Sequence, residues 1–177
     1  MNFFYRITKY NPKYRDKNGY YLFQDEWTCY SEIGSTSGTK ILTYKEYLET
    51  EKKYIDAIIL FMACLNIDDL RIKKLERHKS IFKDLKQDPN TNQEMLELFI
   101  QVKNNEKISM FEIENLCKLI LRNYLWCMLE NDQIMFVHFG WDYYMYIGSE
   151  RECKNAVKEI KASGLFVEDF ISPYLED

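Results

Sequence analysis

Phe136-Val137-His138-Phe139-Gly140-Trp141-Asp142-Tyr143-Tyr144-Met145-Tyr146-Ile147 is the densest aromatic stretch of the chain. Aromatic and β-branched residues favour the pleated, half-buried surface of a strand, and Gly140 breaks the run where a reversal is needed. The stretch therefore reads as one strand over 133–139 and another over 142–148. Alternation puts Tyr144 and Tyr146 on one face and Tyr143 and Met145 on the other. One face should pack on helices. The other either belongs to a core or presents rings and hydroxyls to a partner. Upstream, residues 125–130 form a hairpin with 133–139 around Asn131-Asp132, which carries turn chemistry. Downstream, Leu165 to Ile171 reads as a last strand, stopped by Pro173. At the start of the chain, Phe3, Tyr5 and Ile7 share one face of a further strand, and a loop spans Asn11 to Asn18-Gly19.

Tyrosine separates the ends from the middle. Six of the 14 tyrosines lie in the first 30 residues, and none lies between Tyr54 and Tyr124. The ends read as strand-rich and the middle as helical. Four Ser/Thr residues stand three positions before a Glu, the pattern of a capping box. They are Thr43 with Glu46, Thr91 with Glu94, Ser109 with Glu112, and Ser149 with Glu152. Each precedes apolar residues at helical spacing, so four helices are predicted. The last should end with Lys158 and Lys161 near its negative pole and Gly164 in the left-handed conformation. Residues 69–86 fit two patterns: Leu70 and Ile72 suggest a strand, whereas Leu75, His78, Phe82 and Leu85 suit a helix. Residues 87–92 are the only polar stretch that could divide the chain, and neither β-rich end could fold alone. The expectation is a single α+β domain over 1–177: one mixed or antiparallel sheet from N- and C-terminal strands, with about four helices packed on it.

Composition excludes several classes. With 46% hydrophobic and 16% aromatic residues in 177, the chain is not disordered. Six glycines and three prolines exclude collagen-like and linker-rich designs. The first ten residues contain no apolar core of a secretory signal. The longest apolar run, Ala57 to Leu65, is nine residues; a membrane span needs about 20, so it reads as the middle of a buried helix and no membrane role is expected. Cys29, Cys64, Cys117, Cys127 and Cys153 are odd in number, with spacings of 35, 53, 10 and 26. That arithmetic argues against a disulfide framework or a structural zinc site. It reads as reduced thiols in a cytoplasmic protein.

Few residue patterns suggest chemistry. Among only two histidines, His138 could meet Cys127 across the predicted hairpin as a nucleophile–base pair. A one-residue slip in register decides whether they share a face. If positions summing to 264 oppose each other they do not; if the sum is 263 they do. Otherwise Cys127 is core and His138 a half-buried strand residue. Asp68-Asp69 reads as a cap or turn. Gly34-Ser35-Thr36-Ser37-Gly38-Thr39-Lys40 lacks the ending of a phosphate loop and reads as a hairpin or surface loop. No cofactor is expected. Residues 71–86 carry seven cations against Glu76 and Asp84 and could track a phosphate backbone. A pI near 5.4 disfavours a nucleic-acid partner, and solvated element faces are the plainer reading.

The segment Tyr5-Arg6-Ile7-Thr8-Lys9-Tyr10-Asn11-Pro12-Lys13-Tyr14-Arg15, with Asp25-Glu26-Trp27-Thr28 and Ile33-Gly34, resembles an uncharacterised family of small bacterial cytosolic proteins. Residues 136–147 are similar to a second block of the same set. The resemblance implies no catalytic residue. Small acidic proteins of this type are similar to immunity proteins that neutralise toxins. The functional expectation is a non-catalytic protein-binding module of immunity or inhibitor type, with a basic protein as the favoured partner. The residues expected at the contact are Trp27, His138, Trp141, Asp142, Tyr144 and Tyr146. The alternatives are a small enzyme with a Cys/His or carboxylate site and a nucleic-acid binder using residues 71–86.

Overall fold

A computed structural model describes residues 1–22, 26–37 and 40–175. In chain order its elements are β1 (Phe3–Thr8), a small hairpin of β2 (Thr36–Ser37) and β3 (Lys40–Ile41), α1 (Tyr44–Leu65), β4 (Asp69–Glu76), α2 (Phe82–Gln87), α3 (Gln93–Gln101), β5 (Lys107–Ser109), α4 (Met110–Leu121), β6 (Trp126–Asn131), β7 (Met135–Phe139), β8 (Tyr144–Ser149), α5 (Lys154–Ala162) and β9 (Phe166–Asp169). The fold is α+β. Seven strands form one antiparallel sheet in the order β5-β4-β6-β7-β8-β1-β9. The two chain ends join as predicted: β1 lies between β8 and β9, with Tyr5 opposite Ile147 on one side and Asp169 on the other. The middle of the chain is not purely helical, because β4 and β5 extend the sheet beyond β6. Asp25 and the Gly38-Thr39 part of the predicted loop lie outside the described residues; the flanking residues of that loop pair as β2 and β3.

Local chemistry explains most helix boundaries. Thr43 and Glu46 form the expected capping box at α1, and Ser109 and Glu112 do the same at α4. Two expected caps are corrected. At α3 the cap is Asn92, whose side chain accepts the Met95 N–H at 2.8 Å. Thr91 is held outside the helix by a turn in which its N–H reaches the Asp88 carbonyl. Ser149 caps nothing, since the ladder fixes it opposite both Phe3 and Met135; α5 begins only at Lys154. Its end is as expected, with Gly164 at φ 97°. Residues 69–86 satisfy both readings in turn, β4 in the first half and α2 in the second.

One sheet face carries Tyr5, Ile7, Leu70, Ile72, Cys127, Leu129, Val137 and Ile147, all buried, beneath the helices. α1 is the central cover. Its stripe from Tyr47 through Phe61 to Leu65 is buried, and each large apolar side chain so placed contributes about 1.5–3 kcal/mol. The run Ala57 to Leu65 is the C-terminal part of α1 and not the middle of a buried helix, with Ala63 exposed, and no described helix is long and apolar enough to cross a membrane. The expectation of five reduced thiols is corrected: Cys64, near the end of α1, is disulfide-bonded to Cys153, just before α5. Eighty-nine residues separate them, so spacing gave no signal; the packing of α1 against α5 brings them together.

The other sheet face is also covered, by the C-terminal segment and the loop after β1. Arg6 on β1 makes a two-pronged contact with Glu168 on β9 (3.0 and 2.9 Å), with the Phe170 ring 4.2 Å away. Phe136 stacks on His138 at 4.2 Å, directly over Gly148 of the neighbouring strand. A Cβ at Gly148 would lie 2.1 Å from the Phe136 ring. Gly148→Ala is therefore expected to displace that ring and destabilise the fold by about 1–3 kcal/mol. Urea denaturation should show a lower midpoint at an unchanged slope.

Candidate functional site

The turn joining β7 to β8 is the most unusual stretch of backbone. Asp142 and Tyr143 both have positive φ, 56° and 61°. The Tyr144 N–H closes the turn on the Trp141 carbonyl at 3.2 Å. Asp tolerates the left-handed region, but a bulky aromatic residue there is an outlier that costs about 1–3 kcal/mol unless its surroundings hold it. They do. The Tyr143 hydroxyl meets that of Tyr47 and lies 3.1 Å from the Leu121 carbonyl oxygen. The Tyr54 hydroxyl donates to the Tyr143 carbonyl at 2.7 Å and accepts the Lys9 N–H at 2.7 Å. Burial pushes the Tyr47, Tyr54 and Tyr143 hydroxyls upward from the usual phenol value, so they stay neutral donors.

Anchoring Tyr143 inward thrusts its neighbours outward. Trp141 is 82% exposed, and Asp142 beside it is exposed too. Next to this tip opens a cavity of about 650 Å³ at the end of the sheet where β4, β6, β7 and β8 converge. Its walls include Tyr124, Trp126, Phe139, Trp141, Tyr144 and Tyr174. The polar groups at its edge are Thr28, Cys29, Glu76, His78, Asn123 and Asp142. Glu76 reaches this position because β4 bulges. Lys73 pairs with Met128 but Glu76 with Trp126, and Lys74 takes up φ 51°. Bulges commonly re-aim side chains in this way. The Trp126 indole is fixed by donation to the Phe139 carbonyl at 2.9 Å.

The six residues expected at a contact separate into three groups. Trp141 and Asp142 stand together at the exposed tip. Tyr144 is half-buried at the cavity wall, its hydroxyl accepting from Arg15 at 2.9 Å. Of the other three, Trp27 is half-buried and His138 and Tyr146 are buried. Trp27 packs against Tyr143 and Tyr47, with the Lys9 ammonium over its ring. His138 and Tyr146 are buried, 6% and 8% exposed, under Tyr174 and Phe170. His138 Nδ1 lies 2.8 Å from the Ser172 hydroxyl, and burial, aided by Lys74, pulls the imidazole down to about 4. The alternation of Tyr144 and Tyr146 against Met145 is as read. The second face is not open, because the chain's own tail covers it.

Cys127 and His138 do not meet. Leu129 opposes Val137 and Asn131 opposes Met135, so opposing positions sum to 266. Cys127 therefore faces the helices and His138 the opposite side, with the sheet between them. His138 is buried, not half-buried, and burial pushes the Cys127 thiol well above its usual value, far from a reactive thiolate. Among the described residues, no three His, Cys, Asp or Glu side chains gather as a metal site would need. The basic stretch is divided between strand and helix, and several of its cations have structural partners. Arg77 donates to the carbonyls ending α3, Lys73 pairs with Glu130, and Arg71 reaches the Asn105 carbonyl.

Glu76, His78, Tyr124, Trp126 and Tyr174 were missed as site residues from sequence. They come from three separate segments, 76–78, 124–126 and the C-terminal tail, and only the bulge and the chain fold assemble them. No family model, curated protein or solved structure matches the chain.

Proposed function

We propose that this chain is a non-catalytic protein-binding module whose contact is the Trp141–Asp142 tip and the cavity beside it. The observation that carries this reading is a tryptophan left 82% exposed on a turn whose backbone is locked by a buried tyrosine. Trp anchors interfaces because it supplies a large contact area with few rotamers to freeze, and preorganisation lowers the entropic cost of binding. Phe111 is more exposed, at 94%, but stands on the first turn of α4, away from the cavity lined by Trp141. An immunity or inhibitor role for a basic partner suits the net charge of −4. A cytoplasmic location loses the support of five reduced thiols, because Cys64 and Cys153 are joined.

The test is photo-crosslinking in the source cell with a benzophenone amino acid at position 141 and, separately, at 111. A discrete adduct is expected from 141 and none from 111. Trp141→Ala should weaken capture of the crosslinked partner by at least about 30-fold while leaving stability within about 0.5 kcal/mol of wild type, as for an exposed surface residue. Absence of an adduct at 141, or equal adducts from both positions, refutes the reading.

A further inference from the structure

We infer that the cavity beside Trp141 receives a cationic side chain of the partner protein, an ammonium or guanidinium group, in an aromatic and acidic socket. This rests on the binding reading above and names the chemistry it recognises.

Charge at the cavity favours a cation. Two carboxylates, Glu76 and Asp142, line the cavity, and among the described residues no lysine or arginine does, although the chain contains 24 of them. Neither carboxylate makes a hydrogen bond or ion pair to another described residue. Other acids on the sheet have cationic partners within the chain: Glu168 with Arg6, Glu130 with Lys73, and Asp69 with Lys107. Two unpaired acids at one cavity mouth form a negative opening with nothing of the chain's own to neutralise it.

The aromatic wall favours a cation as well. An aromatic ring carries negative charge density on its face and attracts cations lying over it within about 6 Å. This chain uses that attraction repeatedly: Lys9 lies over Trp27 and Tyr10, and Arg15 over Tyr144. The Trp126 and Trp141 rings carry no such partner among the described residues. Trp126 is fixed at the wall by its bond to Phe139, and Trp141 projects from the rim. A cation entering the cavity would stand among aromatic rings and two carboxylates that line it. An anion would meet repulsion from both acids. A neutral apolar group would fill the space but leave the charges unanswered.

The test uses three capped tripeptides, Gly-Xaa-Gly, with Xaa as trimethyllysine, lysine or norleucine. They are titrated into the full chain while the three indole N–H cross-peaks are followed by NMR. The cationic peptides are expected to shift Trp126 and Trp141 saturably and to leave the packed Trp27 unmoved. Norleucine should bind at least about tenfold more weakly than trimethyllysine. The variant E76Q/D142N, changed only at exposed positions, should weaken trimethyllysine binding about tenfold with an unchanged spectrum elsewhere. Equal binding of norleucine, or undiminished binding by E76Q/D142N, overturns the inference. If no cationic peptide shifts the indoles while the adduct at 141 still forms, the cation is wrong and the interface stands. If both fail, the interface reading falls with it.

Discussion

Arg122→Ala is expected to destabilise the protein by about 3–5 kcal/mol, roughly 6–20 °C in Tm for a chain of this length. Arg122 follows α4, and its guanidinium grips Glu51 of α1 with two 2.7 Å hydrogen bonds. Both side chains are only 2% exposed. The remaining donors reach the Asn90 carbonyl at 2.9 Å and lie 3.6 Å from the Asp88 carboxylate, under the Tyr30 ring. One cation therefore joins α1, α4 and the turn before α3. Removing it leaves the Glu51 carboxyl buried and without its counter-ion. Most of the expected loss is that penalty and not the net worth of the pair. The double variant Glu51→Leu/Arg122→Met tests this, because it removes both charges and keeps the volume. It should recover most of the lost stability. Asp88 would still be satisfied by the Tyr124 hydroxyl and the Asn90 N–H. Urea denaturation of the single and double variants decides. A single variant within 1 kcal/mol of wild type, or a double variant as unstable as the single, would show that the charge pair is not the mechanism.

Cys64→Ser/Cys153→Ser is expected to cost about 2–5 kcal/mol under non-reducing conditions. The bond closes a loop spanning 89 residues, and cross-links over long loops restrict the unfolded chain most. It also ties α5, which covers the β9 edge, to α1, the central helix. Thiol titration in guanidinium should find three reactive groups before reduction, from Cys29, Cys117 and Cys127, and five after it. The serine variant and reduced wild type should then be equally stable. Five thiols before reduction would remove the bond. A serine variant as stable as oxidised wild type would remove its contribution. Protein isolated from its native compartment bears on location, since disulfides persist in oxidising surroundings and are rare in reducing cytosol.

The readings that held were those resting on local periodicity. The helical stripe after Thr43 is α1, and the stripe after Ser109 is α4, each with its capping box in place. The alternation of Phe3, Tyr5 and Ile7 survives in β1, and that of Tyr144, Met145 and Tyr146 in β8. Ser149 failed as a cap because a serine three residues before a glutamate looks the same at a helix start and at a strand end. The difference is made by ladder partners 14 and 146 residues away, at Met135 and Phe3. The Cys127–His138 question failed for a related reason. Asp132 enters the left-handed region at φ 39°, and the turn spans 132–134, one position further along the chain than the 131–133 turn, a register no propensity scale contains. The disulfide lies in the same category, since no spacing rule links cysteines brought together by two packed helices.

The candidate site divides along the same line. Trp141 and Asp142 were named as contact residues from their place in the aromatic stretch, but the strand read over 142–148 begins only at Tyr144, since Asp142 and Tyr143 take positive φ in the turn. Glu76, Trp126 and Tyr174 were not named, because each becomes a wall only through a bulge, a strand end and a returning tail. The amino-acid order by itself marked the helical stripes of α1, α3, α4 and α5, the strands of the two ends and their joining in one sheet, because side-chain period and backbone capping act within a few residues; it left 69–86 open between strand and helix and gave no sign of β5. Tertiary structure decided which aromatic face is covered, which cysteines meet and where a cavity opens, because those outcomes depend on contacts between segments whose mutual distance no local pattern encodes.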